Sequence, residues 1–189
     1  MDLLLFGIQG SGKGTQAKKL AAEFNFDVFE AGGELRKIAA LGSELGNTVK
    51  SYIDQGKLVP HEIIMQVVRE AILERPKDQR ILFDGIPRDA DQQRDFDAVM
   101  REAGRDFRAI HLLLDPEEGV QRILGRAKIE GRADDADEAV IRRRMRTFTE
   151  KTLPVIEAYG KEGKVIEVKG DRSVEEVYEE LRGVVKGLL

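Results

Sequence analysis

The sequence contains no cysteine, which excludes disulfides and thiolate-held metals, a structural zinc among them. Histidine is almost as scarce: His61 and His111 stand far apart without ligand spacing, and both read as structural. Neither sign of charge dominates, since 31 Lys and Arg against 35 Asp and Glu leave a net charge of -4. No overall basic field is therefore expected to recruit nucleic acid or an anionic membrane. Apolar runs are too short to span a bilayer, and neither a repeat nor a low-complexity tract is present. The first residues read as a strand, without the cationic region or cleavage site of a targeting segment, so a cytoplasmic protein is expected. What is there is 189 residues, 41% of them apolar, enough for one compact domain with a full core and too few for a second independent one.

The most informative stretch follows the apolar run Leu3-Leu4-Leu5-Phe6. It reads Gly7-Ile8-Gln9-Gly10-Ser11-Gly12-Lys13-Gly14-Thr15 and leads into a helical pattern. Glycines 7, 10 and 12 let the backbone wrap an anion with its N–H groups, and the following helix adds partial positive charge at its N-terminus. Lys13 then reaches the outer phosphates and Thr15 a metal. Gly14 departs from the general pattern, which has Ser or Thr after the lysine.

Further short apolar runs, Val28–Phe29, Ile81–Phe83, Ile110–Leu114 and Val165–Val168, read as buried parallel strands. Helical periodicity fills the gaps, with Ile63, Val67, Ala71 and Leu73 near one face and Val174, Val177, Leu181, Val184 and Val185 near another. An α/β fold with about five parallel strands follows. Between the second and third strands the chain is longer than one crossover requires, with breaks at Leu41-Gly42-Ser43 and Gly56 to Pro60, so an extra helical lobe is expected there. The polar stretch Arg126 to Arg132, between two helices, reads as a small flap.

Asp84 ends the run Ile81-Leu82-Phe83 and so lies at the carboxyl end of a strand, where open α/β sheets bind ligands. Beside a phosphate loop it is assigned to magnesium, held through water. Among the arginines 142, 143, 144 and 146, two or three read as a solvated helix face. Asp134, Asp135, Asp137 and Glu138 read as charges favouring that helix's N-terminus. Tyr52, Tyr159 and Tyr178 are expected to pack.

Gly-Ser-Gly-Lys-Gly-Thr-Gln at 10 to 16, Ala-Gly-Gly-Glu-Leu-Arg at 31 to 36, Gly-Lys-Leu-Val at 56 to 59, Asp-Gly-Ile-Pro-Arg at 84 to 88 and Gly-Arg-Ala-Asp-Asp at 131 to 135 stand in this order. Over nearly its whole length the chain thereby resembles the nucleoside monophosphate kinases, and within them the adenylate kinases. The resemblance implies a three-layer P-loop fold over 1–189, with a monophosphate-binding lobe at 30–59 and a short lid at 125–135. It implies ATP, AMP and ADP as partners, magnesium as cofactor and a monomer. For the ATP site it implies Gly10, Ser11, Gly12, Lys13, Gly14, Thr15, Arg122, Arg126 and Arg172. For AMP it implies Ala31, Arg36, Lys57, Leu58, Val59, Gly85, Ile86, Pro87, Arg88, Gln92, Arg132 and Arg144. Lys13, Arg88, Arg126, Arg132 and Arg144 would be catalytic, and Thr15 and Asp84 would serve the metal.

One arginine of the long helix has two candidates. Counting forward from Asp134-Asp135 gives Arg143, whereas the pattern Arg-Met-x-x-Phe gives Arg144, which the apolar stripe Ile141, Met145 and Phe148 favours. Three departures bear on the acceptor and the metal. Gln9 replaces a usual proline, Gly33 replaces an aspartate often seen near the magnesium, and Ala31 stands where adenylate kinases usually have threonine and pyrimidine-nucleotide kinases often have alanine. Gln92 points the other way, because its amide presents both donor and acceptor to adenine. The expected reaction is ATP + AMP to 2 ADP. A UMP/CMP kinase is the alternative, and a non-catalytic nucleotide-binding regulator the more remote one.

Overall fold

The computed structural model describes residues 1–130 and 137–189, and of 126–130 the backbone alone. Five strands, β1 (Asp2–Phe6), β2 (Phe26–Glu30), β3 (Arg80–Asp84), β4 (Phe107–Leu113) and β5 (Val165–Lys169), form one sheet in the order β2-β3-β1-β4-β5. Every pairing is parallel, with Leu4 opposite Phe83 on one side and Ala109 on the other. Parallel sheets need both faces covered, which is why β1 is apolar after Asp2 and buried along its whole length.

Helices α1 (Lys13–Phe24) and α9 (Val174–Leu188) cover one face. Leu20, Leu181 and Val185 pack there against Leu3, Leu5 and Ile110. On the other face lie α4 (His61–Glu74), α5 (Ala90–Ala103) and α8 (Leu153–Lys161), where Ile72, Phe96 and Tyr159 meet Leu4, Phe6 and Phe83. The result is the expected three-layer α/β fold. Between β2 and α4 stand α2 (Ala31–Ala40) and α3 (Glu44–Asp54), joined through Leu41–Ser43. Ser43 caps α3 by accepting from the Gly46 N–H at 3.0 Å. Helices α6 (Pro116–Glu130) and α7 (Glu138–Thr147) share a third apolar cluster of Ile8, Val120, Ile123, Ile141 and Met145. A π-helical turn, Phe148–Thr152, joins α7 to α8.

Several expectations shift. On α4 the buried face is Ile64, Met65, Val68, Ala71 and Ile72, while Leu73 is 45% exposed. At about 100° per residue Leu73 lies far round the helix from Ala71, so the two never shared a face. Val174 is likewise exposed, being the first residue of α9, within the capping box that Ser173 and Glu176 form. Leu114 falls one residue beyond β4. Helix α6 continues to Glu130, so the first part of the 125–135 stretch is helical backbone rather than loop. Among the described residues no helix is long and apolar enough to cross a membrane.

Candidate active site

The carboxyl ends of β1, β2 and β3 open into a cleft of about 510 Å³. Its floor is the turn from β1 to α1. At Gly10 φ is +84°, and a Cβ there would lie 2.6 Å from the Gly119 carbonyl oxygen, so only glycine lets the loop pass α6. Gly12 precedes α1 with no side-chain cap, and the first turn holds no acidic residue. The helix's leading N–H groups therefore remain for an anion. Lys13 Nζ donates to the Gly7 and Ile8 carbonyls at 2.7 and 2.9 Å, which draws the ammonium over the loop's rim. Gly10, Gly12, Gly14 and Thr15 line the cleft beside it. Ser11 does not; its hydroxyl is buried without a partner, turned into the space that Gly7 leaves by lacking a Cβ.

Facing the loop is a group of charges. Asp84 ends β3, and Glu30, in register beside it, ends β2. Burial pushes the Asp84 carboxyl above its usual range, Lys13 pulls it back, and Glu30 adds to the rise. Arg88 is held with its Nε donating to the Gly85 carbonyl at 2.7 Å. Gly85 has φ +84°, and a Cβ on it would lie 2.7 Å from Arg88 Nη2. Glycine is therefore required under this guanidinium. Burial lowers the Arg88 pKa, Asp84 raises it, and Arg144 and Arg36 lower it further. Arg36 donates to Glu30 at 2.7 Å. Arg144 lines the cleft and donates to the Ile53 carbonyl at 3.2 Å, whereas Arg143 turns outward to the Gln55 carbonyl at 2.6 Å.

Next to Arg88 is a side pocket of about 20 Å³, lined by Ala31, Leu35, Leu58, Val59, Ile64, Gly85 and Gln92. It has room for about one water. Gln92 is 3% exposed, and its Oε1 accepts the Arg88 N–H at 2.8 Å. A glycine loop with its lysine thus confronts three arginines, with a mostly apolar side pocket holding the Gln92 amide beside Arg88.

An adenylate kinase family model matches residues 5–164. Adenylate kinase of Thermus thermophilus is 38% identical over 97% of this chain and 96% of its own. That of Nautilia profundicola is 38% identical over 97% and 95%, and that of Parabacteroides distasonis 32% identical over 100% and 99%. The chain belongs to the adenylate kinase family.

The remaining residues assigned through the resemblance to adenylate kinases are placed unevenly. Lys57, Leu58, Val59, Pro87 and Arg122 line the cleft; Arg122 donates to the Gly170 carbonyl at 3.0 Å and pairs with Glu118. Ile86 does not line it, because its side chain is 1% exposed within the core. Arg172 is also elsewhere, tied to Glu180 and the Lys169 carbonyl on the α9 side. Arg132, Asp134, Asp135 and the side chain of Arg126 lie outside the described residues. Asp137 does cap α7, accepting from the Ala139 N–H at 2.8 Å. Sequence reasoning missed Glu30, Thr147 and Thr152, all of which line the cleft. Glu30 carried a signal, since it ends a β-run just as Asp84 does.

For magnesium, the donor set fits. A hard cation takes oxygen ligands and usually keeps several waters. The cleft offers the Thr15 hydroxyl on the first turn of α1 and the buried carboxylate of Asp84 opposite. Among the described residues no cluster of three His, Cys, Asp or Glu could hold a metal by itself.

Proposed function

We propose that this chain transfers the terminal phosphoryl group of ATP to AMP, reversibly, giving two ADP. The observation that carries the reading is the opposition of the Lys13 loop to Arg36, Arg88 and Arg144 across one cleft. Phosphoryl transfer asks a protein chiefly for positioning and for positive charge around the moving group. Lys13 and the loop N–H groups would grip the donor's outer phosphates, and Arg36 and Arg88 the acceptor's phosphate. Arg144 would bridge the two. An oxygen of the AMP phosphate attacks the terminal phosphorus as the bond to the bridging oxygen breaks, and ADP leaves. No general base is needed, because the nucleophile is already anionic. Bound with the nucleotide, magnesium supplies neutralisation of polyphosphate charge, and Thr15 and, through water, Asp84 would hold it.

The side pocket is far too small for a nucleobase, so a base seated there would need α2 and the Leu58–Val59 segment of the 30–59 lobe to move from α4. Closure of that lobe and of the 125–135 lid would then exclude water. Arg126 and Arg132 are assigned to the lid by family resemblance. A cytoplasmic monomer is the matching expectation.

Ala31 favours a second reading, a UMP/CMP kinase, since it lines the base pocket without a hydroxyl. Purified protein with magnesium, ATP and each monophosphate in turn, followed by diphosphate formation, separates the two. AMP is expected to give the highest kcat/KM, and faster turnover of CMP or UMP would replace the assignment.

A further inference from the structure

Threonines in helices ordinarily return their hydroxyl to the carbonyl four residues back. Thr149, in the π-helical turn, does so, donating to Met145 at 3.2 Å. Thr152, three residues on, does not. Its Oγ1 crosses to another element and donates to the Arg88 carbonyl at 2.8 Å, and the residue is 5% exposed. The carbonyl of Phe148, four residues before it, accepts instead from the Leu153 N–H, the wide bond that makes the turn π-helical.

Arg88 is consequently held at three points. Its N–H donates to Gln92 Oε1 at 2.8 Å, its carbonyl accepts from Thr152, and its Nε donates to the Gly85 carbonyl at 2.7 Å. Fixing the peptides on both sides of a residue fixes the direction in which its side chain leaves the backbone. Thr152 also follows α7 without a break, and α7 carries Arg144, close enough for its charge to depress the Arg88 pKa. One hydroxyl therefore ties the segment bearing Arg144 to the loop bearing Arg88.

We infer that Thr152 is a positioning residue, which sets Arg88 against Arg144 for the transferring phosphoryl group. This rests on the proposed phosphoryl transfer to a monophosphate, because it concerns the arginines that would hold the acceptor's phosphate. It assigns the π-helical turn a function: the turn releases a hydroxyl from its own helix and delivers it to the site. Misplacing a reacting group by about 1 Å can cost on the order of a hundredfold in rate, so a hydrogen bond that never touches substrate is still read out in kcat.

The test compares Thr152→Val, which keeps the shape and removes the donor, with Thr152→Ser, which keeps the donor, and with Thr149→Val, which removes a hydroxyl used only within its own helix. Thr152→Val is expected to lower kcat with ATP and AMP by about ten- to a hundredfold, with KM for ATP unchanged. Thr152→Ser and Thr149→Val should remain within about twofold of wild type. Crystals of Thr152→Val should show the Arg88 carbonyl turned and its guanidinium displaced from Gly85. The inference is overturned if Thr152→Val keeps wild-type kcat per folded molecule, if Thr152→Ser is as slow as Thr152→Val, or if Arg88 is unmoved in the variant. Wild-type protein making no ADP from ATP and AMP would defeat the proposed function alone, and the position of Arg88 in the variant crystals would still decide the role of Thr152.

Discussion

The two ends of the sheet both bury an aspartate near an arginine, and they treat the pair in opposite ways. At the amino end, Asp2 and Arg105 are each about 5% exposed at the side chain, and they are joined by hydrogen bonds at two points. Arg105 donates to Asp2 through Nε at 2.7 Å and Nη2 at 3.1 Å, and to the Pro76 carbonyl at 3.1 Å; the Ile81 N–H completes the carboxylate at 2.8 Å. At the carboxyl end, Asp84 and Arg88 feel each other's charge but share no hydrogen bond, and burial pushes both toward their neutral forms. The first pair ties β1, β3 and the start of β4 together. The second carries an electrostatic cost that an incoming phosphate and its cation would relieve. One end of the sheet is finished by folding; the other keeps unpaired charge that the proposed substrates would complete, as expected where function is purchased with stability.

The sharpest way to break this contrast is to exchange the outcomes. Asp2→Ala leaves Arg105 buried without its partner and the Ile81 N–H unpaired, a loss of about 3–5 kcal/mol. Thermal denaturation should register it as a fall on the order of 10 °C, with kcat of the folded fraction unchanged. Arg88→Ala should do the reverse. Removing one donor aimed at developing charge costs about a hundred- to a thousandfold in kcat, while the melting temperature should stay within about 2–4 °C of wild type. A large loss of stability in Arg88→Ala with normal turnover would show the upper pair to be as structural as the lower.

Legibility in the sequence follows the same division. The central strands and the phosphate loop were readable because burial on both faces writes continuous apolar runs in β1 and β3, and because a glycine at position 10 answers to a backbone contact with Gly119; the edge strands β2 and β5 are partly exposed and carry charged residues among their apolar ones. Asp84 was readable as a strand-end acid. Asp2 was not, since its meaning depends on Arg105, more than a hundred residues away. Thr152 was hidden for a similar reason: a threonine in a helical pattern gives no sign that its hydroxyl leaves the helix. Ile86 and Ser11, assigned from motif position, and Arg172, assigned through the family resemblance, send their side chains to the core, to the loop interior and to α9. Arg143 and Arg144 were separable by register, because Ile141 and Met145 do turn inward.

Gln92 sharpens the comparison at a smaller scale, being both a lining residue of the side pocket proposed for the base and the acceptor for the Arg88 N–H. Gln92→Ala should lower kcat/KM for AMP by about one to two decades, from an unpaired polar group worth roughly 1–3 kcal/mol. Competition at equal monophosphate concentrations should show a narrower gap between AMP and CMP or UMP. An equal loss for all three acceptors would assign Gln92 to holding Arg88 rather than to reading the base.

Asp84 offers a pH signature. Its folded-state pKa is raised by burial, so between the ordinary carboxylate value and the raised one the folded chain holds more protons than the unfolded chain. Stability attributable to this group therefore declines as pH rises through that window. Asp84→Asn should remove the decline, and the difference in melting temperature between variant and wild type should grow with pH above the usual carboxylate range. A difference that stays constant with pH would mean that Asp84 is as well compensated as Asp2.

The smallest effect belongs to Glu30, which holds Arg36 at 2.7 Å with both side chains substantially exposed. An exposed pair of this kind is worth about 0.2–1 kcal/mol, and it competes for the same guanidinium that the acceptor's phosphate would take. Glu30→Gln keeps the shape of the side chain, removes the charge and leaves Arg36 more available. The KM for AMP should fall by up to about fivefold, the energy of such a pair expressed as an equilibrium. The difference should shrink as added salt screens the wild-type pair. Because Glu30 also helps to raise the Asp84 pKa, the same variant should weaken the pH dependence of stability at the carboxyl end of the sheet and leave the Asp2 end untouched. A rise in KM for AMP would reverse the assignment, making Glu30 the residue that aims Arg36 rather than the one that restrains it.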